Sequence, residues 1–129
     1  MPYAVAKSGT ILIPSGPFED PDRLHLFVVC TDVCDEGKHL LVSIASLINS
    51  LCDQTCIIQP HEHPFVKHPS YVFYRKSLIQ PAQAINDAVE KGLFKPKENM
   101  NSQTLLRIRN GVCNSPQTPK RIKTYRGCA

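Results

Sequence analysis

His25-Leu26-Phe27-Val28-Val29-Cys30-Thr31, the turn-bearing loop from Asp32 to Gly37, and then Leu40-Leu41-Val42-Ser43-Ile44-Ala45 decide the fold of this chain. Phe27, Val28 and Val29 are aromatic or β-branched and are bounded by turn residues, so Leu24 to Thr31 reads as a buried strand. The run from His39 to Ser46 is too short for periodicity alone to separate strand from helix, but its spacing behind the previous strand favours a hairpin. Working towards the amino terminus, Phe18 to Arg23 is polar and turn-rich. Before it, Gly9 turns the chain into a short strand from Thr10 to Pro14, which Ser15 and Gly16 end. Working the other way, Thr55 to Gln59 and Tyr71 to Ile79 carry the β-branched and aromatic residues of two further strands.

The character changes at Pro81, which suits a first helical turn. Ala84, Ile85, Ala88 and Val89 then recur at helical spacing until Gly92 stops them. After the break at Lys95, Pro96 and Lys97, Asn101 or Ser102 can cap a second helix with Leu105, Leu106 and Ile108 on its apolar face, ending near Gly111. Antiparallel strands that close on themselves lose their exposed edges, so about five strands followed by two short helices predict a mainly β fold, a small SH3-like barrel. The expected organisation is one domain over residues 1–114 and a basic, flexible tail over 115–129.

At 129 residues the chain is the size of a single domain, and its 42% hydrophobic and 20% charged content is ordinary for a globular protein. Eleven prolines and the absence of tryptophan favour a chain cut into short elements. No stretch approaches the ~20 apolar residues that cross a bilayer, and Met1 to Lys7 lack a charged segment followed by an apolar one, which predicts a cytoplasmic protein with no membrane partner. In a reducing compartment the six cysteines read as free thiols or metal ligands rather than disulfides. The net charge is +4, and no acidic residue follows Glu98, whereas Arg107, Arg109, Lys120, Arg121, Lys123 and Arg126 do. This basic end attracts a phosphate backbone or stands as a solvated face.

His61-Glu62-His63-Pro64-Phe65-Val66-Lys67-His68-Pro69-Ser70-Tyr71 is the densest chemical cluster. His61, His63 and His68 supply acid and base near neutral pH, and Lys67 and Ser70 supply a cation and a hydroxyl for RNA. The bland alternative is a polar loop whose histidines bond only backbone groups. Cys30, Cys34, Cys52 and Cys56 form two C-x-x-x-C pairs that, with the histidines, offer a zinc site as another alternative. Tyr71, Phe73 and Tyr74 are strand aromatics that stack bases or fill a core, and Tyr74 beside Arg75 is the stacking candidate. There is no G-x-x-x-x-G-K-[ST] loop, no G-x-S-x-G elbow and no H-E-x-x-H helix, which disfavours nucleotide hydrolysis and zinc proteolysis.

The order of segments resembles the PemK/MazF family of bacterial toxins. Gly9-Thr10-Ile11-Leu12-Ile13-Pro14 is similar to the family's opening strand, the His25 to Thr31 segment to its second, and Leu41-Val42-Ser43-Ile44-Ala45-Ser46 to its third. Tyr71 to Lys76 resembles a late strand, and Gln103 to Val112 the terminal helix. The resemblance implies a homodimeric, cofactor-independent endoribonuclease that cuts single-stranded RNA and pairs with an antitoxin protein. The family's serine or threonine position falls on Ser46. Its arginine position falls on His25, with an arginine two residues earlier at Arg23, and the family's Arg-Pro pair is absent. Arg23 and His25 share one face if both are extended, so one is expected to stabilise a phosphorane-like transition state and the other to move a proton. The rival expectation is a non-catalytic barrel that binds a protein or nucleic acid, since fold alone does not decide function.

Overall fold

A computed structural model describes residues 3–16 and 18–128. Its element order is β1 (Thr10–Pro14), β2 (Leu24–Val29), β3 (Lys38–Ser46), β4 (Ile57–Ile58), a 3-10 turn (Pro60–Glu62), β5 (Ser70–Pro81), α1 (Ala82–Glu90), β6 (Lys95–Lys97), α2 (Ser102–Asn114) and α3 (Lys120–Arg126). The strands form one curled antiparallel sheet, a half-barrel in the order β4-β5-β3-β2-β1-β6.

Alternation along each strand divides the apolar residues between two faces. Leu12, Leu26, Val28, Leu40, Val42, Ile44, Val72 and Tyr74 point to one, where Leu105, Ile108 and Val112 of α2 and Ile122 of α3 cover them. Ile11, Ile13, Phe27, Val29 and Leu41 point to the other, under Ile85 of α1 and the partly buried Tyr3, Val5, Leu78 and Phe94. Burial on both sides explains why β2 and β3 are continuous apolar runs rather than alternating ones.

The expected strand count of about five falls short of this sheet because Lys95-Pro96-Lys97 is a strand, not a break. It pairs with β1 at Thr10↔Lys97 and Ile11↔Pro96 on the sheet edge. A proline has no N–H to donate, which costs nothing where no further strand follows.

The two helices expected after the sheet are joined by a third, and the flexible tail expected from residue 115 is the segment that builds it. Cys113 and Cys128 form a disulfide, Ile122 is fully buried, and the Tyr125 hydroxyl donates to the Lys38 carbonyl at 3.0 Å. These contacts pin α3 to α2 and β3. They also correct the reading of all six cysteines as free thiols or ligands. Cys30 and Cys56 are buried, Cys34 and Cys52 half-buried, and no group of three or more metal-binding side chains gathers among the described residues.

Asn101 caps α2, its Oδ1 accepting from the Thr104 N–H at 2.8 Å. The helix does not stop at Gly111 but runs through it to Asn114. Leu106 is exposed, and the buried stripe is Leu105, Ile108 and Val112. No helix among the described residues is long and apolar enough to cross a membrane.

Candidate functional site

β2 and β3 pair as far as Leu26↔Ile44 and then part, so the start of β2 and the end of β3 open a cleft of about 790 Å³. Leu26, Ile44 and Val66 line its buried part, while Arg23, His25, Ser46, Lys67, His68 and Ser70 bring polar groups to it. Six of the ten residues picked out by sequence as catalytic or RNA-binding therefore meet in one place. The lining includes Arg23 and Lys67 but no carboxylate, so the cleft favours an anion.

Arg23 reaches it through the β1–β2 loop. At Gly16 a Cβ would lie 1.9 Å from the Asp20 carbonyl oxygen and 2.6 Å from Cβ of Arg23, so only glycine lets the loop fold back this closely. The Ser15 N–H then donates to the Arg23 carbonyl at 2.8 Å, which fixes the base of the Arg23 side chain.

His25 is half-buried, and its Nδ1 lies 2.9 Å from Ser15 Oγ. Because the Ser15 hydroxyl donates to the Ile13 carbonyl at 3.1 Å, its oxygen is left to accept from Nδ1–H. That tautomer leaves Nε2 with a free lone pair. Burial, and then the nearby Arg23 and Lys76 charges, hold the His25 pKa below its ordinary value, so the ring is a neutral base at pH 7. Ser15 is a positioning residue that sequence reading had used only as a strand stop.

Across the cleft, Ser46 Oγ and His68 Nε2 are 2.7 Å apart, both on exposed side chains. Ser70 is buried and donates its hydroxyl to the His68 carbonyl at 3.0 Å, so it shapes the turn that presents His68 rather than reaching for RNA. Lys67 is exposed beside it.

The other histidines of the cluster do not reach this cleft. His63 is buried, with Nδ1 accepting from the Phe65 N–H at 3.0 Å and Nε2 2.6 Å from the Glu98 carbonyl and 3.1 Å from Thr10 Oγ1. It holds the loop against β1 and the chain leading into α2. His61 is exposed in the 3-10 turn, away from the cleft lining.

Glu62 between them anchors the loop to α2. It accepts from the Gln59 N–H and the Thr104 hydroxyl, each at 2.7 Å, and from Arg107. Burial of the carboxylate opposes ionisation, but the Gln59, Thr104 and Arg107 donors outweigh it and hold the Glu62 pKa below its usual value.

Tyr74 is fully buried and donates to the Ile108 carbonyl, so it cannot stack on a base as expected. Period two along β5 turns it inwards and turns Phe73 and Arg75 outwards. Arg75 is exposed but lies beyond the cleft, in an adjoining hollow. Phe73 is the aromatic that sequence reading passed over; alternation from a buried Tyr74 was the signal that could have chosen it. A scan against models of known protein families finds no match, and a search of curated proteins finds none either.

Proposed function

We propose that the chain is a metal-independent endoribonuclease of the toxin kind, cutting single-stranded RNA in the cleft between β2 and β3. The observation that carries the reading is the convergence there of Arg23, a neutral His25 and the Ser46–His68 pair at 2.7 Å. In the proposed reaction Nε2 of His25 takes the proton of a ribose 2′-hydroxyl, whose oxygen attacks the adjacent phosphorus. His68, in its protonated form and oriented by Ser46, gives a proton to the departing 5′-oxygen, leaving a 2′,3′-cyclic phosphate and a 5′-hydroxyl. Arg23 and Lys67 neutralise the charge that gathers on the phosphorane oxygens. The same reading carries an SH3-like barrel, a homodimer, a cytoplasmic location and an antitoxin partner, all supported by the segment order that resembles PemK/MazF toxins.

The test is incubation of the full chain with mixed single-stranded RNA in the presence of a chelator, beside His25→Ala and His68→Gln. Discrete products with cyclic-phosphate ends from wild type alone support the assignment. Equal cleavage by both variants removes it. Intact RNA that is bound in a saturable, salt-sensitive way assigns the cleft instead to a non-catalytic nucleic-acid module, a reading favoured by its apolar floor of Leu26, Ile44 and Val66.

A further inference from the structure

A second hollow, of about 300 Å³, adjoins the cleft on the outer side of β5, and Tyr71 lines both. Tyr71, Phe73 and Arg75 share a face of β5 by strand alternation. β4 pairs with β5 only at Tyr71 and Ser70, and beyond the Val72 N–H, which donates to the Cys56 carbonyl at 3.0 Å, no strand covers the outer edge among the described residues. The hollow is therefore built on an open strand edge beside the cleft.

Its groups are those a nucleotide requires. Phe73 is partly exposed and tilted against Tyr71, with ring centroids 5.5 Å apart, and it offers an aromatic surface. Arg75 is an exposed cation. Asp53, the one carboxylate in the lining, is already engaged: Thr55 donates to it through its N–H at 3.0 Å and its hydroxyl at 2.6 Å, and Ser115 donates to its other oxygen. Asn49 Oδ1 is taken by the Leu51 N–H at 2.8 Å, which leaves its amide N–H groups to donate.

We propose that this hollow is a nucleobase subsite for an unpaired base next to the phosphodiester cut in the cleft. The base stacks on Phe73, Arg75 holds its phosphate, and the exposed Asn49 amide donates an N–H to the base edge. The inference rests on the reading of the cleft as an RNA-cleaving site, and it adds a residue-level source of sequence preference.

The probe is a short single-stranded oligonucleotide of mixed sequence made entirely of 2′-deoxynucleotides, which lacks the attacking hydroxyl and is not cut. Binding to the full chain is followed by fluorescence anisotropy, and thiol alkylation is followed by peptide mass spectrometry. Cys52 lines the hollow, whereas Cys34 lies outside both hollows and serves as the internal reference. Saturating oligonucleotide is expected to slow alkylation of Cys52 severalfold and leave Cys34 unchanged. Phe73→Leu, which keeps an apolar side chain, and Arg75→Gln are each expected to weaken binding about tenfold. Asn49→Ala is expected to relax the base preference at one position beside the cut.

An unprotected Cys52, or wild-type binding by both Phe73→Leu and Arg75→Gln, overturns the subsite. Protection and Phe73-dependent binding in a protein that never cuts RNA would uphold the subsite and remove the cleavage reading. Cleavage with Cys52 unprotected would do the reverse, and a chain that neither binds nor cuts loses both.

Discussion

The Tyr74 hydroxyl donates to the Ile108 carbonyl across 2.9 Å and so ties the centre of β5 to α2, while Gly111 provides the space that makes the approach possible. A Cβ at Gly111 would stand 1.9 Å from that hydroxyl and 2.6 Å from Cζ of the ring. Glycine inside a helix costs about 1 kcal/mol relative to alanine, and here close packing outweighs that propensity.

Tyr74→Phe is expected to lower the unfolding free energy by about 1 kcal/mol through the lost hydrogen bond. Gly111→Ala is expected to lower it by about 1–3 kcal/mol despite the better helix former. Urea titration followed by circular dichroism measures both. A Gly111→Ala protein as stable as wild type would show that Tyr74 and α2 can part to admit a methyl group at no cost, which would overturn the close-packing argument.

His63 is expected to act on stability and not on catalysis. His63→Ala removes the acceptor of the part-buried Phe65 N–H and the ring nitrogen beside the Glu98 carbonyl and the Thr10 hydroxyl, which keep their own bond at 2.7 Å, so the total cost is about 1–3 kcal/mol. The melting temperature should fall, with cleavage per folded molecule unchanged. A rate loss of two or more orders of magnitude in fully folded His63→Ala protein would return His63 to the site.

Reduction of Cys113–Cys128, or the Cys113→Ser/Cys128→Ser pair, is expected to cost about 3 kcal/mol, because the bridge closes a segment of sequence separation 15 and restricts the unfolded chain. Thermal melts with and without reductant test it. In the cytoplasm proposed above, a reducing thiol pool would favour the weaker form. Identical melts in both conditions would show that Ile122 and Tyr125 hold α3 without the bridge.

Cleavage is expected to be lost on the acid side below pH 6.5, the ordinary value from which burial, Arg23 and Lys76 lower His25. The base is active when neutral, so the rate climbs as pH rises through the lowered pKa, and it falls again on the alkaline side as the general acid loses its proton. Lys76 lies outside the cleft lining, and Lys76→Gln removes one lowering charge, so the acid limb should move up towards pH 6.5 with the alkaline limb unmoved. The stability linkage has the same sign. Because the unfolded chain protonates His25 more readily, its contribution is complete above pH 6.5 and is lost as pH falls through the folded pKa. A kcat/KM profile for both proteins decides this, and an acid limb above pH 6.5 in wild type would remove His25 as the base.

Local chemistry was enough to read the strands around Phe27 and Val42, the helix after Pro81 and the Asn101 cap, because each depends on neighbours in the sequence. Arg23, His25, Ser46 and His68 were also legible as candidates, since their side chains carry recognisable chemistry whatever the fold. Lys95-Pro96-Lys97 was not legible as a strand, because its only reason to be extended is the pairing with Thr10 to Leu12, far away in the chain. The Lys120–Arg126 helix was missed for a similar reason: four of its seven residues, Lys120, Arg121, Lys123 and Arg126, are basic and read as a solvated tail, and what orders it is the burial of Ile122 and the bridge between Cys113 and Cys128.

By itself, then, the sequence determined a mainly β chain followed by helices, two faces' worth of apolar residues, and a store of acid, base and cationic groups. The tertiary structure alone decided which of those groups meet. His63 and His68 are five positions apart, yet one is buried against Thr10 and Glu98 and the other stands in the cleft at Ser46. Adjacent residues Phe73 and Tyr74 divide in the same way between an open hollow and the core. The reason is physical: side-chain type fixes what a residue can do, but burial and hydrogen-bond partners come from strands and helices distant in sequence, and these decide whether it is left free to do it.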